Sequence, residues 1–323
     1  MPRILTFATL CALALLPIQP EVGAQSASTL LLRPMIGLEA DFKPSVWSQS
    51  GANAQQSGLG VDLSGYAVAG RWNLDPADPM SPAMALSWHQ MDISTSDPAL
   101  PERLVDISIA GSMAFELEGQ DRLQVTVGGG YAGDNVFDDG RAYYGLADLI
   151  YTKPIDRESG YQFFVSYNGN RSFLPDIPLP GFAYYDVIDE KTRYTVGIPA
   201  STITHKLDDR TTISATYFVP IAAIASIEHK LDDSITLFGR FDGRTRAYTL
   251  DSSPDNRRLF FQQRRVEAGL TWRDGGADTI EVTLAGGYAF DQEFTRGWDT
   301  RDDDTVRDLS DEPYFRVGVG LRF

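Results

Sequence analysis

The closing segment of the chain, Tyr314 to Phe323, alternates by parity: Phe315, Val317, Val319, Leu321 and Phe323 are apolar, while Arg316, Gly318, Gly320 and Arg322 are polar or bear no side chain. A period of two is the period of a β-strand, whose successive side chains point to opposite faces. One face of this segment requires an apolar surround and the other requires water. The pattern recurs upstream. Val105, Ile107, Ile109, Met113, Phe115 and Leu117 stand against Asp106, Ser108, Ser112 and Glu116, and after Gly119-Gln120-Asp121 come Leu123, Val125, Val127 and Tyr131 against Arg122, Gln124 and Thr126. Tyr161, Phe163, Val165 and Tyr167 oppose Gln162, Ser166, Asn168 and Asn170, and Tyr194, Val196 and Ile198 oppose Thr195 and Gly197. Ile280, Val282, Leu284, Tyr288 and Phe290 oppose Thr279, Glu281, Thr283 and Gly287, whereas Gly60 to Trp72 and Ala142 to Thr152 alternate poorly.

The amino-terminal end says where such strands would meet an apolar surround. Met1 to Arg3 is a short basic start, Ile4 to Leu16 an apolar run, and Val22-Gly23-Ala24 places small residues before Gln25, which is the form of a secretory signal cleaved near Ala24. An apolar run this short cannot cross a hydrocarbon core of about 30 Å as a helix. Cys11, the single cysteine, lies inside that run behind a poor lipobox, Ala8-Thr9-Leu10, so the expected mature chain of residues 25–323 has no thiol for disulfides or metal ligation. With a mean hydropathy of −0.20 and no second long apolar run, a membrane-crossing version of this chain crosses with strands. Lipid offers no hydrogen bonds to backbone groups, so those strands must all pair and the sheet must close. No linker divides the chain, which reads as one domain after the signal. A formal net charge of −16 excludes nucleic acid as a partner, since its phosphates would be repelled.

The final segment, ending in Phe323, closely resembles the C-terminal strand of Gram-negative outer-membrane β-barrels, and the mature chain as a whole resembles, more weakly, the uncharacterised outer-membrane β-barrel domain families. That resemblance implies an all-β fold, a single transmembrane antiparallel up-and-down barrel in the cell outer membrane. It implies that Phe315, Val317, Val319, Leu321 and Phe323 are the signal read by the barrel assembly machinery, with periplasmic chaperones escorting the chain and outer-membrane lipids and lipopolysaccharide around it. A soluble β-rich periplasmic protein is the alternative fold.

Turn chemistry sets the expected strand count. His205-Lys206-Leu207-Asp208-Asp209 returns as His229-Lys230-Leu231-Asp232-Asp233, a spacing of about one strand pair, so both copies should lie at one barrel end. Counting from a periplasmic C-terminus gives strands at 30–43, 60–73, 83–93, 103–118, 122–133, 142–152, 160–171, 191–206, 211–219, 222–230, 235–248, 259–273, 279–292 and 313–323: fourteen strands, with twelve or sixteen as alternatives because Pro220 and the first three strands are ambiguous. Tyr151, Tyr161, Trp272 and Phe323 would form the periplasmic aromatic girdle, and Tyr131, Tyr143, Tyr167, Tyr194, Phe290 and Phe315 the outer one.

The inward parity carries both signs of charge: Arg33, Glu39, Asp41, Asp106, Glu116, Arg122, Arg240, Glu267, Glu281, Arg316 and Arg322. In a water-filled pore such charges filter polar solutes, and in a narrow barrel they pair across the lumen and plug it. Glu116, Arg240, Glu267, Glu281, Arg316 and Arg322 are the candidate lumen-lining set. The expected function is a passive or gated channel for small solutes. A closed structural or ligand-binding barrel is the alternative, a fatty-acid-type transporter a further one, and a lipid-modifying enzyme the weakest. His205 and His229 sit in turns, His89 has no partner at a recognisable spacing, and no Gly-x-Ser-x-Gly or His-Glu-x-x-His occurs, so no catalytic, cofactor or metal residues are assigned. Two loops stand out. Ser172 to Tyr185 is apolar and Pro-rich where an outer loop should be polar, which makes Phe173, Pro175, Pro178, Pro180 and Phe182 a candidate constriction. Asp299 to Glu312 is acidic and reads as a solvated loop, with calcium bridging to lipopolysaccharide as the sharper alternative.

Overall fold

The computed structural model describes residues 26–32, 38–218, 222–251, 253, 255–275 and 279–323. The strands are β1 (Ala40–Asn53), β2 (Gly60–Asn73), β3 (Ala83–Thr95), β4 (Arg103–Glu116), β5 (Arg122–Gly133), β6 (Tyr143–Pro154), β7 (Ser159–Asn168), β8 (Leu179–Val187), β9 (Thr192–Ile198), β10 (Ala200–Lys206), β11 (Thr211–Phe218), β12 (Ala222–Lys230), β13 (Ile235–Tyr248), β14 (Arg258–Arg273), β15 (Thr279–Gly297), β16 (Asp304–Leu309) and β17 (Glu312–Arg322). Each pairs antiparallel with its neighbour in the chain, except that β15 pairs with both β16 and β17, and β17 pairs back onto β1. The sheet is thus a closed barrel of sixteen strands, with β16 a short flap on the upper part of β15.

The barrel has sixteen strands, the larger of the two alternatives to fourteen, and the two additional strands have identifiable causes. The stretch 191–206 is not one strand: Pro199 stands between β9 and β10, which fold back on each other with Ile203 opposite Tyr194. Proline has no N–H to give a ladder, so it suits a strand end. The second additional strand, β8, comes from the Pro-rich segment itself. The first strand also moves, from 30–43 to Ala40–Asn53. Its signal is masked by Pro44, where the ladder to β17 is interrupted between Phe42 and Ser45, and by an outward parity that carries Ser48 and Ser50 beside Val46.

Period-two alternation separates the two surfaces as the sequence requires. On β17 the Phe315 side is 54% exposed on the outer wall while Arg316 is 7% exposed within. Ile109, Val127, Phe163, Leu270 and Leu284 are likewise exposed outward, whereas Ser108, Thr126, Thr271 and Thr283 are buried inward. The seven turns that join β2 to β3, β4 to β5 and so on as far as β14 to β15, with the C-terminal Phe323 beside them, form one end, here called the turn end. Four of its hairpins share one device. Asp156, Asp189, Asp208 and Asp232 each accept backbone N–H bonds from the second and third residues that follow, at 2.6–2.8 Å. Those N–H donors hold the Asp156, Asp189 and Asp208 carboxylates below their ordinary range. The pair of repeated turns visible in the sequence is therefore a set of four.

The wall is uneven. β9 to β12 have seven to nine residues each, while β14 has 16 and β15 has 19. The tall side bends inward: the top of β13 meets the top of β5, eight strands away, through a Gly133–Thr249 bridge and a Thr249 N–H to Ala132 carbonyl bond of 3.0 Å. In a ring of sixteen, eight steps is a diameter, so the loop-end mouth is pinched shut along one line.

Candidate functional site

The lumen is layered. Nearest the loop end, the inward faces of β1–β5 and β13–β15 meet as an apolar core containing Leu63, Met91, Leu104, Tyr248, Leu259 and Phe294. Phe261 and Phe294 stack with ring centroids 4.6 Å apart. Below this core, Gln49, Gln263 and Gln292 bond to one another at 2.7–3.3 Å, closing the apolar layer with satisfied amides.

A charged layer follows. Glu267 accepts from Arg316 Nη2 at 2.7 Å and from the Tyr314 hydroxyl at 2.7 Å, with Arg240 Nη1 at 3.6 Å. Asp242 is held by Arg244 and by Arg265 at 3.3 Å. Arg246 donates to His89 Nε2 at 2.7 Å across the lumen, and Tyr144 donates to Asp106 at 2.6 Å. A void of only about 20 Å³ remains among these side chains, room for about one water.

Toward the turn end the lumen opens. A cavity of about 330 Å³ lies against β1, β9–β15 and β17, bordered by Lys43, Arg193, Glu228, Arg240, Arg273 and Glu281. Its floor is a second ionic cluster. Asp41 pairs with Arg71 at 3.1 Å and Arg322 at 3.5 Å, and Glu281 pairs with Arg273 at 2.8 Å and Arg322 at 3.6 Å. The opposite wall of this half, β2–β6, is covered by a helical turn, Ala27–Leu30. Ala27 N–H donates to Ser108 Oγ at 2.9 Å, Arg71 donates to the Leu30 carbonyl at 3.2 Å, and Gln124 donates to the Leu31 carbonyl at 2.8 Å. Ala27 and Leu31 fill the space over Ala85 and Ala110.

Across the loop-end mouth runs the segment 169–178, between β7 and β8. Arg258, at the start of β14, donates to the Arg171 carbonyl at 2.9 Å and to the Trp298 carbonyl at 3.0 Å. Thr300 N–H donates to the Ser172 carbonyl at 3.0 Å, and Leu174 N–H to Asp299 Oδ2 at 3.4 Å. Arg301 lies over the Phe173 ring, 5.3 Å from its centroid, and Pro175 is buried beneath. The segment starts on β7, opposite β15 in the ring, so it spans the mouth as a strap. Pro178 is exposed at its far end, and Pro180 and Phe182 lie beyond it in β8. Phe182 faces outward, 5.6 Å from Tyr161 and 5.2 Å from Phe163 between ring centroids.

Of the lumen-lining candidates, Arg240, Glu267, Glu281, Arg316 and Arg322 come together in the two ionic clusters. Glu116 is exposed at the turn-end rim, where Arg122 donates to the Pro79 carbonyl. Arg33 lies outside the described residues, and Glu39 is exposed at the turn end. Sequence reasoning missed Arg71, Arg193, Arg244, Arg246, Arg265, Arg273 and Asp242. A signal existed for part of this group, because Arg240, Asp242, Arg244 and Arg246 keep one parity along β13. Tyr194 was expected at the outer girdle and lies instead at the turn end, since β9 begins there. Tyr131, another expected girdle residue, is buried under Phe137 and Tyr143.

His205 and His229 bond through Nδ1 to Thr192 and Thr211 at 2.9 Å, on neighbouring strands. Asp106 lies opposite His89 in the β3–β4 register, but its carboxylate takes the Tyr144 hydroxyl, and no serine is bonded to His89 among the described residues. The acidic segment 299–312 is absorbed into the mouth: Asp299 pairs with Arg301, Asp303 accepts from Thr295, and Asp308 accepts from Gln56. No group of three or more metal-ligating side chains converges among the described residues.

No family model matches this chain, and no curated protein matches it by sequence. Among solved structures the chain is similar to an outer-membrane channel from Pseudomonas putida F1 at 11% identity, covering 90% of this chain and 97% of that one, with a TM-score of 0.39. It is similar to a deletion mutant of the monoaromatic hydrocarbon channel TodX at 10% identity, covering 92% of each chain, with a TM-score of 0.43. It is also similar to the toluene transporter TbuX of Ralstonia pickettii at 10% identity, covering 95% of this chain and 98% of that one, with a TM-score of 0.40.

Proposed function

We propose that the chain is an integral outer-membrane barrel whose lumen is a gated conduit for small solutes, closed in this structure. The observation that carries the reading is the pairing of an apolar outer wall with an ionised inner one in a closed sheet, an arrangement that suits lipid outside and water inside. A barrel of sixteen strands has the girth of a porin, so occlusion has to be built. Three devices supply it: the apolar core, the charged layer and the strap 169–178. In this reading the turn end faces the periplasm, Phe323 and the residues alternating with it serve the barrel assembly machinery, and the loop end meets lipopolysaccharide. The signal is removed near Ala24. The chemistry is passage rather than catalysis.

One observation favours a second reading. The apolar core is as buried as a protein interior, and a permanently closed binding barrel would look the same on the loop-end side. Planar-bilayer recording separates the two. Deleting 175–182 would cut into β8, so the strap is better released by Arg258→Ala, which removes the donor to the Arg171 and Trp298 carbonyls. A gated conduit gives larger or more frequent openings in this variant. A closed barrel gives no current in either form.

A further inference from the structure

Four of the lumenal carboxylates share one arrangement, each lying between two guanidiniums, whereas Asp106 accepts from the Tyr144 hydroxyl. Asp41 stands between Arg71 and Arg322, Glu281 between Arg273 and Arg322, Glu267 between Arg240 and Arg316, and Asp242 between Arg244 and Arg265. Arg322 is shared, so seven guanidiniums face four carboxylates, an excess of three positive charges. The cavity of about 330 Å³ adds Lys43 and Arg193 against Glu228 and raises that excess further. The whole chain, by contrast, carries −16. Positive charge is therefore concentrated around these clusters and the cavity, against the balance of the molecule.

Enclosure makes this excess chemically meaningful. Low-dielectric walls focus the field of buried charges and raise the local concentration of counter-ions by tenfold or more. Rings of Arg and Lys select anions, and the planar guanidinium matches a carboxylate in two parallel hydrogen bonds. The hydroxyls of Thr204, Ser214, Thr236 and Thr283 border the same space and can donate to an oxyanion. Each water occupies about 30 Å³ in the liquid, so the cavity holds on the order of ten waters or an organic molecule of comparable heavy-atom number.

We propose that this turn-end cavity is a binding site for a small organic di- or tricarboxylate, held by Lys43, Arg193 and the cavity-facing guanidiniums of Arg240 and Arg273, and that it makes the conduit anion-selective. The inference deepens the conduit reading and rests on it for selectivity, while binding stands apart from conduction. Two measurements on the detergent-purified full-length barrel separate them. Isothermal calorimetry with citrate should show saturable binding that Lys43→Gln with Arg193→Gln weakens about tenfold or more, while choline gives no signal. Inorganic phosphate should compete; if phosphate binds and citrate does not, the carboxylate assignment falls.

Bilayer reversal potentials in a potassium chloride gradient should give a chloride-to-potassium permeability ratio well above one, lowered toward one in the same double variant. Cation selectivity overturns the inference and leaves the conduit standing. No current together with citrate binding overturns the conduit and upholds the site, and no citrate binding in a barrel that still shifts on heating in gels overturns the site.

Discussion

Glu267→Ala is the perturbation for which the structure sets the most definite cost. The carboxylate accepts from Arg316 Nη2 at 2.7 Å, from Arg316 Nε at 3.2 Å and from the Tyr314 hydroxyl at 2.7 Å, with Arg240 at 3.6 Å. All three charged side chains are between 6% and 8% exposed, so water screens them little. Removing one partner of a buried ionic set typically costs about 3–5 kcal/mol, because charge is left uncompensated in a poor solvent. The cavity next to Arg240 and Arg316 admits some water, which places the expectation near the lower end, about 3 kcal/mol. Glu267→Gln keeps the shape and the acceptor oxygen but turns charge-assisted bonds into neutral ones, roughly half as strong, and should cost about half as much. Urea unfolding of the barrel refolded in detergent, with an unchanged slope, reads both numbers. A loss below about 1 kcal/mol for Glu267→Ala, in a barrel with intact strand content, would refute the claim that this layer is a buried, interdependent ionic cluster.

The other predictions address separate layers. Phe294→Ala, at a fully buried ring stacked on Phe261, should cost about 3–5 kcal/mol and leave a void in the apolar core; a cost under about 1 kcal/mol would mean that core is loosely packed. Asp97, in the β3–β4 loop, accepts from Arg307 Nε at 2.6 Å and Nη2 at 3.0 Å and from Ser57, and the Arg307 bonds hold its carboxyl well below the ordinary 3.8. A depressed acid contributes stability that is present above its unfolded pKa and lost as pH falls through the folded one. The loop should therefore resist proteolysis at pH 5 and loosen only in strong acid. Asp97→Asn should loosen it at neutral pH, and equal protease resistance of variant and wild type would contradict the pairing. Phe323→Ala should lower the fraction of chain recovered as heat-modifiable barrel in outer-membrane fractions while leaving in vitro refolding near wild type. Normal recovery would remove the terminal residue from the assembly role.

The outer wall was legible in the sequence because an apolar outward face leaves an imprint, as on β17, where apolar residues alternate with polar residues or glycine from Phe315 to Arg322. The imprint fails where both faces are apolar. On β2 the inward residues Val61, Leu63 and Ala67 belong to the buried core, so Gly60–Asn73 reads as an irregular segment although its pairing with β1 and β3 is regular. Strand breaks were harder still. Pro199 ends β9 within a run that alternates through it, and β8 carries Pro180 and Gly181, residues that local propensity assigns to loops. Tertiary pairing with β7 and β9 overrides that preference. Individual lumenal charges could be named from parity, but which ones meet depends on the stagger between strands and on the inward bend of β13, and neither is a local property. The strap's apolar residues announced that something must cover them, and Arg258 and Asp299 on the opposite side of the mouth could not be named from the sequence.

Single-channel recording of the wild-type barrel and of Arg258→Ala in planar bilayers, under the same salt gradient and voltage, tests the gated conduit most directly. The wild type should show rare, small openings, and cutting the strap's anchor should raise open probability or conductance with the reversal potential shifted toward that of the anion. Silence from both proteins, each verified as folded and inserted, would contradict the conduit and leave a sealed barrel.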